Sequence, residues 1–347
     1  MKDVLKYLLG FIPINLGLYY FQGESVWVFI TAALAIIPLA MYMTKITDKL
    51  GSFLGNSWGG LLNVTFGNAT ELIISLFAIV DGLLNVVKAQ ITGSIIMNLL
   101  LVLGLSFFLG GLKHRTQKFD RVLAITNCAM LTLAMIGLLV PAIFYFASSN
   151  IKTTVLGHLS LGVGAVLFIT YLASLYFTLV IHEKEKKEVK EKSPGERDLY
   201  KFVGYLFLVT VFIALEANIL VGSISIISDR FNISPVFIGI IVLPLIANVA
   251  ENYTAIKMAR KDNIEMSINI AVGSSIQIAL FLVPLLILLS TIINHPMNVL
   301  FNILEVSSIA MSVLAITVIY LQGKSNWLEG LQLCAAYLII AIAFYYA

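Results

Sequence analysis

The sequence predicts an all-α polytopic membrane protein of eleven transmembrane helices, one extra N-terminal helix followed by two inverted five-helix repeats. Three observations carry that prediction. Hydrophobic residues make up 59% of the 347-residue chain and charged residues only 12%, too little polar surface to cover so large an apolar volume in water. Apolar runs long enough to cross a bilayer core, about twenty residues each, recur along the whole chain. A set of polar and small residues inside those runs also repeats at a constant offset. Asn68 and Asn248, Glu71 and Glu251, Gly93 and Gly273, and Ser94 and Ser274 are each 180 residues apart.

Taken in order, the runs fall at 4–21, 27–44, 58–80, 86–110, 119–146, 155–181, 201–227, 235–259, 265–290, 299–321 and 327–346. Met1-Lys2-Asp3 leads into the first with no small-residue cleavage site, so residues 1–25 are read as a retained, extra helix. Residues 26–182 form the first repeat. A charged linker, 183–200, follows, headed by Glu183-Lys184-Glu185-Lys186-Lys187-Glu188 and carrying Ser193-Pro194-Gly195 in its middle. Residues 201–347 form the second repeat. Glu71 and Glu251 lie in the third and eighth runs, and a separation of five spans reverses direction, which makes the repeats inverted.

Basic residues favour cytoplasmic loops. With the linker inside, all of the 22 Lys and Arg except Lys88, Lys152 and Arg230 fall on that side. The N-terminus is then cytoplasmic and the C-terminus outside, as expected of an integral protein of a prokaryotic plasma membrane. Cys128 and Cys334 both lie in apolar runs and suggest neither a disulfide framework nor a metal cluster. The four histidines, His114, His158, His182 and His295, are scattered at or near segment ends, which counts against a site built on imidazole ligands. No span interior holds an aspartate or a histidine, so an intramembrane hydrolase lacks its catalytic groups and no enzyme activity is expected. Nothing calls for a nucleic-acid partner or a cofactor. The bilayer is the surrounding partner, and homo-oligomerisation is left open.

The chemistry centres on the repeated carboxylates. A charged side chain at mid-membrane costs at least about 2.5–3.5 kcal/mol, so such residues face a bundle interior and mark ion pathways. One alone could be a protonated packing residue; a symmetry-matched pair points to a shared task. Gly67 loosens the helix just before Glu71, and where a helix unwinds its freed carbonyls can coordinate a cation. Two carboxylates with backbone oxygens make a hard, all-oxygen site suited to Ca2+. Left together without a cation, the two anions attract protons instead. Competition between a divalent cation and protons for the same oxygens is an antiport mechanism.

Asn68 and Asn248 lie three residues before the glutamates on the same helical face. They either supply an amide oxygen or cap a broken helix, or they hydrogen-bond between helices. Ser94 and Ser274 follow glycines, where small residues permit close packing or a hydroxyl ligates. Asn98 and Gln277, about one turn further on, are off register by one position. Glu216 has no acidic counterpart at its repeat equivalent, Ile36; it either carries an extra proton along an access path or plays a structural role. Glu305 is expected at the interface, and Asp81, Asp262 and Glu265 as solvated loop charge.

Gly67-Asn68-Ala69-Thr70-Glu71-Leu72-Ile73-Ile74, Ile91-Thr92-Gly93-Ser94-Ile95-Ile96-Met97-Asn98-Leu99-Leu100, Asn248-Val249-Ala250-Glu251 and Gly273-Ser274-Ser275-Ile276-Gln277-Ile278-Ala279-Leu280 closely resemble the two signature repeats of the calcium/proton exchanger (CAX) family of the cation/calcium antiporter superfamily. The resemblance covers nearly the whole chain. It implies that Glu71 and Glu251 alternately hold Ca2+, the transported substrate, and protons. It also implies that the carbonyls of Gly67 and Ala247 assist coordination and that the second and seventh spans slide to switch access. The family usually reads Gly-Asn-Ala-Ala-Glu-His in the second repeat, whereas this chain has Ala247 and Asn252 in place of the glycine and histidine. Two rivals stand beside this expectation. A sodium-driven calcium exchanger shares the inverted repeat, but relatives of that type usually place asparagine where this chain has Ile95 and Ser275. A passive divalent-cation channel would show no obligatory exchange.

Overall fold

Without water to satisfy them, backbone N–H and C=O groups must bond within their own segment, so apolar runs of this length become helices. A computed structural model describes residues 2–54, 62–63, 65–148, 153–177 and 196–347. Over those residues the regular structure is helical apart from one ribbon, in which Thr116–Lys118 pairs antiparallel with Lys324–Asn326. Eight described helices are long and apolar enough to cross a membrane, or nine if the bent pair Pro235–Ala247 and Val249–Ala259 is one span. The protein is therefore all-α and polytopic. The predicted runs without a full-length described helix are the first and the third.

The first run is split into Lys2–Leu8 and Phe11–Gln22. Pro13 accounts for the split, because it has no N–H for the Leu9 carbonyl and its ring crowds that group. The Leu9 oxygen accepts instead from Ile12 N at 3.2 Å. The third run falls partly outside the described residues and ends in the helix Ala69–Val80. The linker 183–200 lies mostly outside them too, and the helix Glu196–Gly222 takes up its last residues.

The chain folds as two compact units. The first comprises 1–81, 169–233 and 246–250. Its core joins Leu39, Met43, Ile46 and Leu50 on the helix Val26–Leu54 to Leu206, Val209 and Ile213 on Glu196–Gly222. Steps of three and four residues put each set on one stripe, so the two helices, the predicted second and seventh spans, pack along their length.

The second unit comprises 82–168, 234–245 and 251–347. Two repeat-related helices run through it, Leu84–His114 and Ile264–Ile292. Each widens into a π-helical turn after its Gly-Ser, at Met97–Val102 and Ile278–Leu282. A third such turn is Ile238–Val242. Pro284 and Pro244 stand two residues beyond the latter two turns. A proline deprives the carbonyl four residues back of its donor, here Leu280 and Ile240, and a widened turn accommodates that loss. The helix Leu84–Ile96 crosses Ile238–Val242 backbone to backbone: a methyl group on Gly93 would fall on the Ile240 carbonyl, and one on Gly239 would lie 2.8 Å from Ala89 Cβ and 2.9 Å from the Val86 oxygen.

Hydrogen bonds gather loops at the ends of this unit. Gln117, in the ribbon, donates to the Ala259 carbonyl and to Asp262 Oδ1, both at 2.9 Å. Elsewhere Lys88 Nζ donates to Asn298 Oδ1 at 2.6 Å and to the Leu300 carbonyl at 2.7 Å. Glu305, expected at the interface, is buried and completes a capping box with Asn302, its Oε2 accepting from Asn302 N at 2.7 Å. Val140, Ile143, Val166, Leu338 and Ile339 are more than half exposed, as side chains that face hydrocarbon are.

Candidate cation site

Both marked stretches break their helices at the asparagine. Gly67 is the last helical residue before Asn68, a turn residue, and the next helix starts at Ala69. In the second repeat Ala247 ends a helix, Asn248 is the turn, and Val249 starts the next helix, 64° away in direction. Each glutamate therefore stands in the first turn of a helix, where unpaired backbone N–H groups and the helix dipole favour an anion. The break exposes backbone oxygens on the preceding side, so anionic and carbonyl oxygens occur together.

In the first unit, Asn68, Glu71 and Asn248 are each 2% exposed. The Asn68 carbonyl accepts from Leu72 N at 3.0 Å and so opens the ladder of the helix that holds Glu71. In the second unit, three predicted residues form a chain. Asn98 Nδ2 donates to Ser274 Oγ at 3.2 Å, and the Ser274 side chain is hydrogen-bonded to the Glu251 carboxylate. Glu251 Oε2 is buried and has no hydrogen-bond partner among the described residues, leaving an oxygen aimed into the protein with capacity for a cation or a proton. Asn252, in the place of the family's histidine, donates from Nδ2 to Met97 Sδ at 3.4 Å and so faces the widened turn that also holds Asn98.

The close-packing expectation for the Gly-Ser pairs divides. It holds at Gly93, whereas a methyl group on Gly273 would meet nothing within 4 Å. Ser94 is buried within Leu84–Ile96, and Gln277 is the partly exposed last residue of Ile264–Gln277.

Glu216 belongs to a separate polar cluster of the first unit and is fully buried. Asn15 Nδ2 donates to Glu216 Oε2 at 2.5 Å, and Thr31 Oγ1 lies 2.7 Å from Asn15 Oδ1 and 2.7 Å from the Trp27 carbonyl. Glu216 Oε1 is buried without a partner among the described residues. Its repeat equivalent, Ile36, is buried and apolar. Neither Asn15 nor Thr31 belongs to the repeated set of polar residues in the sequence. The signal available was an amide, Asn15, isolated in the apolar stretch Ile14–Leu18. Among the described residues no three His, Cys, Asp or Glu side chains come together, so any divalent ion would take amide, hydroxyl and carbonyl oxygens with its carboxylates.

Residues 24–180 and 201–346 match the model of the sodium/calcium exchanger protein family. The chain is 40% identical to a Ca2+/H+ antiporter of Aphanothece halophytica over 98% of its own length and 95% of that protein's. Among solved structures, native YfkE superposes with a TM-score of 0.87 at 34% identity, covering 99% of this chain and 100% of that one. A sodium-calcium exchanger structure superposes with a TM-score of 0.60 at 16% identity, covering 96% and 99% of the two chains, a likeness of fold alone. Matches of this extent, together with two helix breaks that each precede a glutamate, identify the chain as a member of the cation/calcium antiporter superfamily, in its Ca2+/H+ antiporter (CAX) family.

Proposed function

We propose that this chain is a secondary active antiporter that exchanges Ca2+ for H+ by alternating access, with cation and protons competing for Glu71 and Glu251. The observation that carries the reading is that each glutamate opens a helix directly after a break at an asparagine, at positions 180 residues apart. Around these carboxylates the cation takes neutral oxygens from the carbonyls of Gly67 and Ala247 and from Asn68, Asn248, Ser94, Ser274, Asn98 and Gln277. The architecture is one extra helix plus two inverted sets of five, divided at residues 25, 182 and 200. The N-terminus and linker are cytoplasmic and the C-terminus is outside, in a prokaryotic plasma membrane. The second and seventh spans move as a pair to switch access, a role that suits two helices sharing one apolar core.

The test is Ca2+ uptake into membrane vesicles under an imposed pH gradient, repeated under a sodium gradient. Uptake driven by the pH gradient, lost with a protonophore and absent under sodium alone, is expected. Sodium-driven uptake would transfer the protein to the rival class, whose solved member shares only the fold. Uptake that ignores both gradients would make it a channel.

Glu216 is assigned to proton coupling. Two carboxylates account for two protons per Ca2+ and move no net charge; a third proton on Glu216 makes exchange electrogenic. With the membrane potential clamped at two values, the initial rate of the natural protein is expected to depend on potential, and that of Glu216→Gln to be flat but not zero. A dependence that persists in Glu216→Gln removes this residue from the scheme.

A further inference from the structure

In the second unit a recess of about 320 Å3 opens where the last turn of the helix Leu103–His114 meets the end of Val249–Ala259 and the turn beyond it. Lys113, Tyr253, Ile256, Lys257, Arg260 and Lys261 line it, four cations with no carboxylate. Like charges held this close repel, and the fold keeps them there. Lys113 Nζ donates to the Arg260 carbonyl at 3.0 Å, and Lys257 Nζ sits 5.7 Å from the centre of the Tyr253 ring. Asp262, the acid nearest in sequence, is committed elsewhere: it accepts from Gln117 Nε2 at 2.9 Å and lies 3.9 Å from His114 Nδ1. Among the described residues no carboxylate forms an ion pair with any of the four cations. The recess is a concave cationic surface with no carboxylate counter-charge among the described residues.

We propose that it binds the phosphate of an anionic glycerophospholipid. The order of residues along the helix selects that ligand over a free anion. Val249–Ala259 runs outward from the break at Asn248, so Tyr253 and Ile256 precede Lys257, and then Arg260 and Lys261 in the turn beyond, on the way to the membrane edge. The apolar wall thus lies toward the bilayer interior and the cations toward water, the sequence of acyl chain and headgroup in a phospholipid. Tyr253, 38% exposed, is the kind of residue that sits at headgroup depth. A dissolved phosphate would use the cations and leave the apolar wall bare. Because Lys113 lies in the last turn of Leu103–His114 and Arg260 in the turn directly after Val249–Ala259, an anion shared between them ties the end of the first helix to the end of the one that carries Glu251. The inward-to-outward sense rests on reading Pro235–Ala259 as one broken span, and the test therefore reads binding and not transport.

Purified full-length protein is titrated with phosphatidylglycerol or phosphatidylcholine in mixed micelles, and retained lipid is counted by native mass spectrometry alongside the Tm. One phosphatidylglycerol per chain is expected, with a raised Tm, because a ligand that binds only the folded form stabilises it. Each basic residue near an anionic headgroup is worth about 1 kcal/mol, so Lys257→Gln with Arg260→Gln should weaken retention by roughly 25- to 30-fold. The Tm of that variant in phosphatidylcholine should be unchanged. Equal retention of the two lipids, or of phosphatidylglycerol by both proteins, overturns the proposal. Inorganic phosphate that raises the Tm as far as the lipid does overturns the lipid assignment in favour of a free anion. Should the double variant not fold, the natural protein still decides: retention must fall as salt rises from about 0.05 to 0.5 M, since exposed ionic contacts are screened, and retention independent of salt refutes the site. Failure of Ca2+/H+ exchange in the vesicle assay would leave this result standing, so the two readings fail separately.

Discussion

Glu71→Gln and Glu251→Gln are each expected to lower H+-gradient-driven Ca2+ uptake by at least about 100-fold, since removing one partner from a buried charge interaction costs about 3–5 kcal/mol. The amide keeps the shape of the carboxylate and can still accept the Ser274 hydroxyl at position 251, so the fold should survive. What it cannot do is neutralise half of a divalent cation or release a proton when the cation arrives. Both halves of the exchange are lost together. The two variants should therefore fail equally, although their surroundings differ: Glu71 sits in the first unit and Glu251, with Ser274 and Asn98, in the second. Equal quantities of folded protein by size-exclusion profile, with initial Ca2+ rates in vesicles at a fixed pH gradient, make the measurement. Substantial gradient-driven uptake by either variant would sink the two-carboxylate mechanism. A deficit in only one of them would assign the cation to a single glutamate and leave the other as a packing residue.

The parts of this site that could be read in the sequence share one physical cause. A carboxylate or amide inside twenty apolar residues is costly, so its presence is informative, and an offset of 180 residues doubles the information. Glu71, Glu251, Asn68 and Asn248 stand out in the sequence as site candidates for that reason, and both helix breaks do fall at the asparagines. Asn15 and Glu216 were not legible as a pair. They lie 201 residues apart, off the repeat, and only the fold brings the helix Phe11–Gln22 against Glu196–Gly222. Other features do carry a local signal in the sequence. Pro13 forbids one continuous helix over 4–21, and Pro244 and Pro284 leave the carbonyls of Ile240 and Leu280, inside two of the widened turns, without their usual donors. Asn302-Ile303-Leu304-Glu305 has the spacing of a capping box, which gives Glu305, expected at the interface, a structural partner at a helix start. Gly93 and Gly273 occupy matched places, and no pattern along the chain distinguishes them. Only the neighbouring helix does.

That difference between the two glycines gives the other large effect. Gly93→Val is expected to leave little folded protein, or to lower the Tm by roughly 5 °C or more, because inserting methyl groups into a packed contact costs about 1–3 kcal/mol or more and a large domain shifts by about 2–4 °C per kcal/mol. At this position the added carbon meets the Ile240 carbonyl, a backbone group that cannot rotate away. Ile240 lies within the widened turn Ile238–Val242, whose own Gly239 is pressed against Val86 and Ala89. Relief of the clash would separate the two backbones along the whole crossing. Gly273→Ala should change the Tm by no more than a degree or two, since its methyl group meets no atom within 4 Å and substitutions away from such contacts usually cost within about 0.5 kcal/mol. If it folds, Gly273→Ala also reports on chemistry, because Ser274, the next residue, bonds to Glu251 and Asn98. Exchange at the natural rate in that variant would show that the small residue before Ser274 serves neither packing nor ligand geometry. Equal losses of stability in Gly93→Val and Gly273→Ala would contradict the backbone crossing at Gly93, and the asymmetry between the matched glycines would have no structural basis.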